Sequence, residues 1–504
     1  MRSEQALKNM VANLILQVIV LLTGIILPRF FMEAYGSSVN GMITSINQFL
    51  AYLGLAEAGV GTASIVALYG PLANNRKKEI NAILSATRKY YNRSGIIFLT
   101  LVMTLTYVYP FFISGQLDSS LVRGMVIVLA SSTLLDYFFL GKYRVLLSAN
   151  QEGYVVALVQ AVGTIINTVV SILLIWKGAN VIWVKSVATG VYMLRLFLIR
   201  AYVKRKYPCV DYHVDPNDNA LNQKGAALLH QVVGMIVNNT DVVMLTICMG
   251  SRSLLEVSVY GVYNLVVYAV YMLLTSFSNG LSAGFGEVIS KGEKETLKSS
   301  YSSYEYMYFI IFFIVITCMG VLILPFVSVY TIQMTDVNYI RPLAAMLFTI
   351  IVFLQNIRIP GMTIICAAGH FRETRGQAIL EAVINIVVSI ILVWPFGMVG
   401  VLIGTVCSYG YRSLEIIVYN AKHLVQGTLR KTMSRLIRNI IVTVVLVVLG
   451  LNVVSQMMTS FVAWFMYAII IGGVCSIVIV VVNFVAEPEE FCSLFKRIRQ
   501  VIKK

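Results

Sequence analysis

Charged residues are scarce in this sequence. Asp, Glu, Lys and Arg together make up 12% of its 504 residues, where a soluble chain carries roughly a quarter. The deficit excludes a molecule whose surface mostly faces water. A disulfide framework is absent as well. The seven cysteines are odd in number, form no Cys-x-x-Cys pair and sit mostly inside apolar runs (Cys248, Cys318, Cys366, Cys407, Cys475), so they read as small membrane-buried residues.

Signatures of bond-making chemistry are missing too. There is no Gly-x-x-x-x-Gly-Lys-Ser/Thr loop to cradle a nucleotide and no Gly-x-Ser-x-Gly elbow. The four histidines, His213, His230, His370 and His423, lie far apart, in or beside inner loops, without metal-ligand spacing. No outer loop is long enough to carry an extracytoplasmic active site. These absences point to a chain that is not an enzyme, with no catalytic residues, no metal site and no cofactor.

What is abundant is apolar sequence, at 58%. Apolar runs of about 20 residues predict an all-α integral membrane protein with about fourteen transmembrane helices. The first six lie near 11–31, 40–64, 91–113, 121–141, 153–176 and 179–200. The next six lie near 228–249, 257–281, 304–330, 343–366, 376–395 and 397–420, and the last two near 439–458 and 461–485. The run from Val11 to Leu27 lacks a small-residue cleavage site and continues into Pro28-Arg29-Phe30, so it reads as a retained helix rather than a signal peptide. Pro110, Pro325, Pro360 and Pro395 are tolerable where neighbouring helices re-satisfy the backbone.

The net charge of +16 would suit a nucleic-acid binder, but its placement follows membrane topology instead. With the N-terminus inside, 29 of the 39 Lys and Arg fall in inner loops and tails, which is the positive-inside pattern. Both termini are therefore expected in the cytoplasm of a multi-pass cell-membrane protein. The expected organisation is a six-helix lobe at 1–205, a cytoplasmic linker at 206–227, a second six-helix lobe at 228–422, and two additional helices with a basic tail at 423–504. Ser38-Val39-Asn40-Gly41 and Ser258-Val259-Tyr260-Gly261, 220 residues apart, suggest that the lobes are pseudo-symmetric parallel repeats.

Polar groups are costly in hydrocarbon and gather where they line an interior. Candidate cavity residues are Arg29, Gln48, Glu57, Asn238, Asp241, Asn264, Gln355, Arg358, Glu381 and Arg412. For the single amides the plainer reading is a hydrogen bond between helices. Arg412 and Glu415, three residues apart, can neutralise each other, and Arg29 near an outer helix end can snorkel. Glu57 and Asp241 are the candidates for binding a coupling H⁺ or Na⁺. A polar interior shared by two six-helix bundles is the expected architecture of an alternating-access carrier, and arginines there suit an anionic cargo because a guanidinium grips phosphate bidentately.

Several stretches resemble the bacterial Wzx-type polysaccharide flippases of the multidrug/oligosaccharidyl-lipid/polysaccharide exporter superfamily. They are Leu27-Pro28-Arg29-Phe30-Phe31, Tyr35-Gly36-Ser37-Ser38-Val39-Asn40-Gly41, Gln48-Phe49-Leu50 and Gly54-Leu55-Ala56-Glu57-Ala58-Gly59-Val60-Gly61. Asn238-Asn239-Thr240-Asp241-Val242, Ser258 to Asn264 and Gly292-Glu293-Lys294-Glu295 agree. The resemblance implies a twelve-helix, two-lobed carrier plus two helices. Its implied cargo is an undecaprenyl-diphosphate-linked oligosaccharide, moved between leaflets of the bacterial cytoplasmic membrane for capsule, O-antigen or teichoic-type polymers. Arg29, Glu57 and Asp241 match its motifs, whereas Arg358 and Arg412 rest on depth alone. Membrane lipids and polysaccharide-synthesis enzymes are the expected partners, and nucleic acid is not. A drug or small-molecule cation antiporter of the same superfamily, or a membrane-embedded enzyme of envelope synthesis, remains open at this point.

Overall fold

The computed structural model describes residues 2–57, 59–113, 115–218, 224–278, 281–454 and 458–492. The basic stretch at 493–504 and part of the expected linker, 219–223, lie outside the described residues. Among the described residues every regular element is helical. In chain order they are α1 (Arg2–Tyr35), α2 (Ser37–Leu53), α3 (Val60–Ala73), α4 (Lys77–Phe112), α5 (Ser119–Leu135), α6 (Gly141–Ala149), α7 (Gly153–Trp176), α8 (Val181–Lys206) and α9 (Lys224–Cys248). There follow α10 (Ser253–Ser276), α11 (Leu281–Ser290), α12 (Lys294–Tyr330), α13 (Pro342–Ile357), α14 (Ile359–Ala368), α15 (Arg375–Phe396), α16 (Met398–Tyr419), α17 (Leu429–Val453) and α18 (Phe461–Ala486).

Twelve helical stretches among the described residues are long and apolar enough to cross a bilayer. Of the other two expected spans, the one near 40–64 falls on most of α2 and the start of the shorter apolar helix Val60–Ala73, and the one near 228–249 contains the shorter apolar helix Asn239–Cys248. The second span is broken because Gly54–Glu57 tightens into a single 3₁₀ turn and Gly59 takes a φ of +84°, a conformation glycine adopts without strain. α18 carries Val462, Ile470, Ile477 and Val485 well exposed. Such apolar surface is stable only against lipid.

The tenth span is also interrupted. It breaks at Arg358, two residues before Pro360, which has no N–H for the Asn356 carbonyl. The Tyr308 hydroxyl donates to that carbonyl at 3.1 Å instead, so a neighbouring helix repairs the backbone. Pro110, Pro325 and Pro395 lie inside continuous helices.

The chain divides into two compact units, Met1–Ser258 and Val259–Lys504, with the division falling inside α10. The same succession of helices occurs in each. In the first, α4, α5, α7 and α8 begin at Lys77, Ser119, Gly153 and Val181; in the second, α12, α13, α15 and α16 begin at Lys294, Pro342, Arg375 and Met398, each about 220 residues later. The interruptions repeat as well. A π-turn at Asp136–Leu140 joins α5 to α6, and the break at Arg358 separates α13 from α14.

Candidate functional site

In the first unit, polar side chains converge on Glu57 at the end of the broken second span. Tyr91 of α4 donates its hydroxyl to Glu57 Oε1 at 2.5 Å. Arg144 of α6 lies 3.7 Å from the same oxygen, but only 3.0 Å from Asp136 in the π-turn. Asp136 also accepts from the Tyr192 hydroxyl of α8 at 2.7 Å. One turn further on, Arg195 holds its guanidinium 4.8 Å from the Tyr192 ring centre. Two carboxylates thus share one guanidinium at ion-pair distance, and Glu57 has the longer, weaker share.

A cavity of about 540 Å³ opens beside this cluster, with Gly54, Glu57, Gly61, Tyr91, Arg144 and Asn239 on its wall. Gly61 keeps it open. A Cβ there would stand 3.0 Å from the Tyr91 hydroxyl and 3.2 Å from the Glu57 carboxylate. The carboxylate with the longer share of Arg144 is therefore the one that faces the cavity.

The remaining first-unit candidates are placed separately. Asp241 is buried on α9, next to Thr240, whose hydroxyl is 2.8 Å from that of Tyr52. Gln48 on α2 is half-buried with its Oε1 unpartnered. Arg29 pairs at 2.8 Å with Glu33 one turn along the same helix. The Asn238 side chain lies outside the described residues, although Asn239 lines the cavity.

The second unit gathers three candidates into one buried cluster. Arg358 donates to Glu381 Oε1 at 2.5 Å, and its guanidinium lies 4.7 Å from the Tyr409 ring centre. Arg412 Nε is 3.6 Å from Glu381 Oε2, and its Nη1 pairs with Glu415 on the next turn. Two arginines and two glutamates make the cluster formally neutral, so positive charge is offered to an anion only when a carboxylate lets go. Asn264 on α10 and Gln355 on α13 are half-buried, and Gln355 Oε1 is unpartnered. Tyr192-x-x-Arg195 on α8 and Tyr409-x-x-Arg412 on α16 occupy matching helices of the two successions.

Asp136, Arg144, Tyr91 and Tyr192 escape a reading of the sequence. Asp136 is the sole acid in the run 121–141, and that isolation is a signal in its own right. Arg144 falls just past that run and resembles a topology determinant. The helical stretch continues to Ala149, which brings Arg144 to Glu57. Among the described residues, no group of three or more His, Cys, Asp or Glu side chains could hold a metal ion.

No family model matches the chain, and no curated protein matches it. Solved structures do. The chain aligns with a multidrug resistance MATE family transporter of the MOP superfamily, inward-facing, at a TM-score of 0.64 and 15% identity, covering 82% of this chain and 96% of that one. It aligns with the lipid II flippase MurJ, inward closed, at a TM-score of 0.65 and 15% identity, covering 93% of this chain and 98% of that one. The chain has the fold of the MATE and MurJ transporters. A eukaryotic MATE transporter also matches, at a TM-score of 0.54 and 13% identity, over 86% of this chain and 99% of that one. At these identities the MATE–MurJ fold is what is shared.

Proposed function

We propose that this chain is a flippase for an undecaprenyl-diphosphate-linked oligosaccharide. It moves its cargo from the inner to the outer leaflet of a bacterial cytoplasmic membrane by alternating access, for capsule, O-antigen or teichoic-type polymer export. The observation that carries this reading is the alignment with the lipid II flippase, which takes in 93% of this chain against 82% for the inward-facing MATE transporter. The family resemblance of the Glu57 and Asp241 segments supports it. Both termini face the cytoplasm in this reading, and polysaccharide-synthesis enzymes supply the cargo. The chain itself makes no covalent bond.

Arg358 and Arg412 are the groups suited to the diphosphate. A guanidinium presents a planar fork that matches phosphate as well as it matches carboxylate, so the cargo exchanges with Glu381 or Glu415 rather than meeting a bare charge. Glu57 and Asp241 bind the coupling H⁺ or Na⁺. One elementary charge crossing 100 mV is worth about 2.3 kcal/mol, and this is the coupling energy the reading draws on.

The test is translocation of a labelled lipid-diphosphate oligosaccharide in proteoliposomes. The wild-type chain is expected to flip it; failure with several such lipids sinks the proposal. The second reading, a drug or small-molecule cation antiporter, draws on the MATE alignment of nearly equal TM-score and on the two carboxylates that share Arg144. It expects a deletion strain to accumulate a fluorescent cation.

A further inference from the structure

Residues 207–218, which follow α8, fold back as a strap along the first turns of α4. Asn81 donates to the Cys209 carbonyl at 3.2 Å, Ser85 to the Val214 carbonyl at 2.5 Å and Arg88 to the Tyr212 carbonyl at 3.3 Å. The Asn217 N–H donates to the Ala82 carbonyl at 3.1 Å, and Lys89 pairs with Asp218 at 2.6 Å. These anchors recur at helical spacing along one face of α4. Strap and helix border an open cavity of about 780 Å³ whose wall includes Arg88, Lys89, Arg93, Tyr212, Ile96 and Ile97.

Charge and depth together say what fits there. Of the strap's three aspartates, Asp218 is engaged by Lys89, Asp211 lies 3.3 Å from His213 and Asp215 is exposed, and none of them is on the cavity wall, which carries Arg88, Lys89 and Arg93. Arg93 has no ion pair among the described residues. Lys142 stands 5.3 Å from the Tyr212 ring centre, within electrostatic reach of Arg88 and Arg200. The cavity therefore carries surplus positive charge.

Arg93 is also the last charged residue of α4: positions 94–112 hold no Asp, Glu, Lys or Arg. That stretch is roughly 28 Å long at 1.5 Å per residue, close to the hydrocarbon thickness of about 30 Å. Arg88 and Arg93 thus stand at headgroup level, while Ile96 and Ile97, exposed at 59% and 45%, begin the acyl region.

We propose that this cavity is a binding site for an anionic phospholipid of the leaflet it faces. Arg88 and Arg93 hold the headgroup phosphate, and an acyl chain runs along Ile96 and Ile97. Arg88 already donates to the strap at Tyr212, so the bound lipid secures the strap against α4. The site goes beyond the transport reading and does not depend on what the chain carries.

Native mass spectrometry of the full chain, with phosphatidylglycerol and phosphatidylcholine supplied in equal amounts, tests it. The wild type is expected to retain phosphatidylglycerol several-fold over phosphatidylcholine. Arg88→Ala/Arg93→Ala loses that preference, whereas Arg88→Lys/Arg93→Lys keeps most of it and Arg430→Ala keeps all of it. Thermal melting of each variant separates lost lipid from lost fold. Equal retention of the two lipids, or an unchanged preference in a folded alanine variant, overturns the proposal. So does displacement of the lipid by millimolar inorganic phosphate, which identifies a free-anion site.

Discussion

Arg435 of α17 donates from Nη1 to Glu305 Oε2 of α12 at 3.0 Å, the two side chains being only 1% and 2% exposed. The same guanidinium reaches Glu487 just past α18 at 2.6 Å through Nη2, and the Ser302 carbonyl at 3.0 Å. One buried arginine therefore ties the last two helices to α12. Removing one partner of a buried pair strands the other charge, at a cost of about 3–5 kcal/mol. Arg435→Met should lower the thermal midpoint in detergent accordingly, and a loss below about 1 kcal/mol would show that the network does not hold these helices.

The same network sets an acid limit. Burial pushes the Glu487 carboxyl up, but hydrogen bonds and charge from Arg435 and Arg438 outweigh it and hold it below its ordinary value. Burial likewise opposes ionisation of Glu490, and Lys431, Ser302 and Arg435 outweigh it. Both folded pKa values are thus depressed. Their contribution is complete above the unfolded value of about 4.5 and is lost as pH falls through the lower folded values. The melting midpoint is expected to fall below pH 4.5 in the wild type and less steeply in Glu487→Gln. Identical acid profiles would remove Glu487 from the account.

Helices α15 and α16 meet through Gly400 and Gly404, spaced as small residues are where helix backbones approach closely. A Cβ at Gly400 would overlap the Leu392 carbonyl, and one at Gly404 would overlap Ser389. Each Gly→Ala change should destabilise by roughly 1–3 kcal/mol, the usual range for overpacking. Gly472→Ala, with open space around it, serves as the control and should melt like the wild type.

For cargo recognition, Arg358 is the informative position. A hydrogen bond to a charged group contributes roughly 1.5–3 kcal/mol, about ten- to a hundredfold in affinity. Arg358→Ala should slow flipping by that factor with the fold retained, and Glu381→Gln should shift the dependence on cargo concentration. Flipping at the wild-type rate in folded Arg358→Ala would discard the partner exchange.

Ion coupling is read most directly from Glu57 and Asp241. Glu57→Gln and Asp241→Asn carriers are expected to lose their dependence on an imposed H⁺ or Na⁺ gradient while still binding cargo. If both variants keep that dependence, the coupling group lies elsewhere; Asp136, 3.0 Å from Arg144, is then the next carboxylate to change.

The helical architecture was legible along the chain. Even Pro360 was foreseeable as tolerated, and Tyr308 supplies the repair. The arrangement of charges was less legible. Glu57 announced itself among glycines, but Asp136 and Arg144 gave no hint that they would meet it, because the π-turn and the extension of the helical stretch to Ala149 were not visible. Arg412 and Glu415 could be paired from their spacing alone, whereas Glu381 could not be added to them.

By itself the sequence determined that this is a multi-spanning helical protein and roughly where its spans lie. In hydrocarbon each crossing segment must satisfy its own backbone and stay nearly free of charge over about 20 residues, and that is a property of neighbours along the chain. Only the tertiary structure decided which buried charges are partnered. Glu381 meets Arg358 across 23 residues, and Asp136 meets Tyr192 across 56. Such pairs depend on which helix faces pack together, because a carboxylate taken out of water is tolerated only where the fold brings a donor or a cation to it.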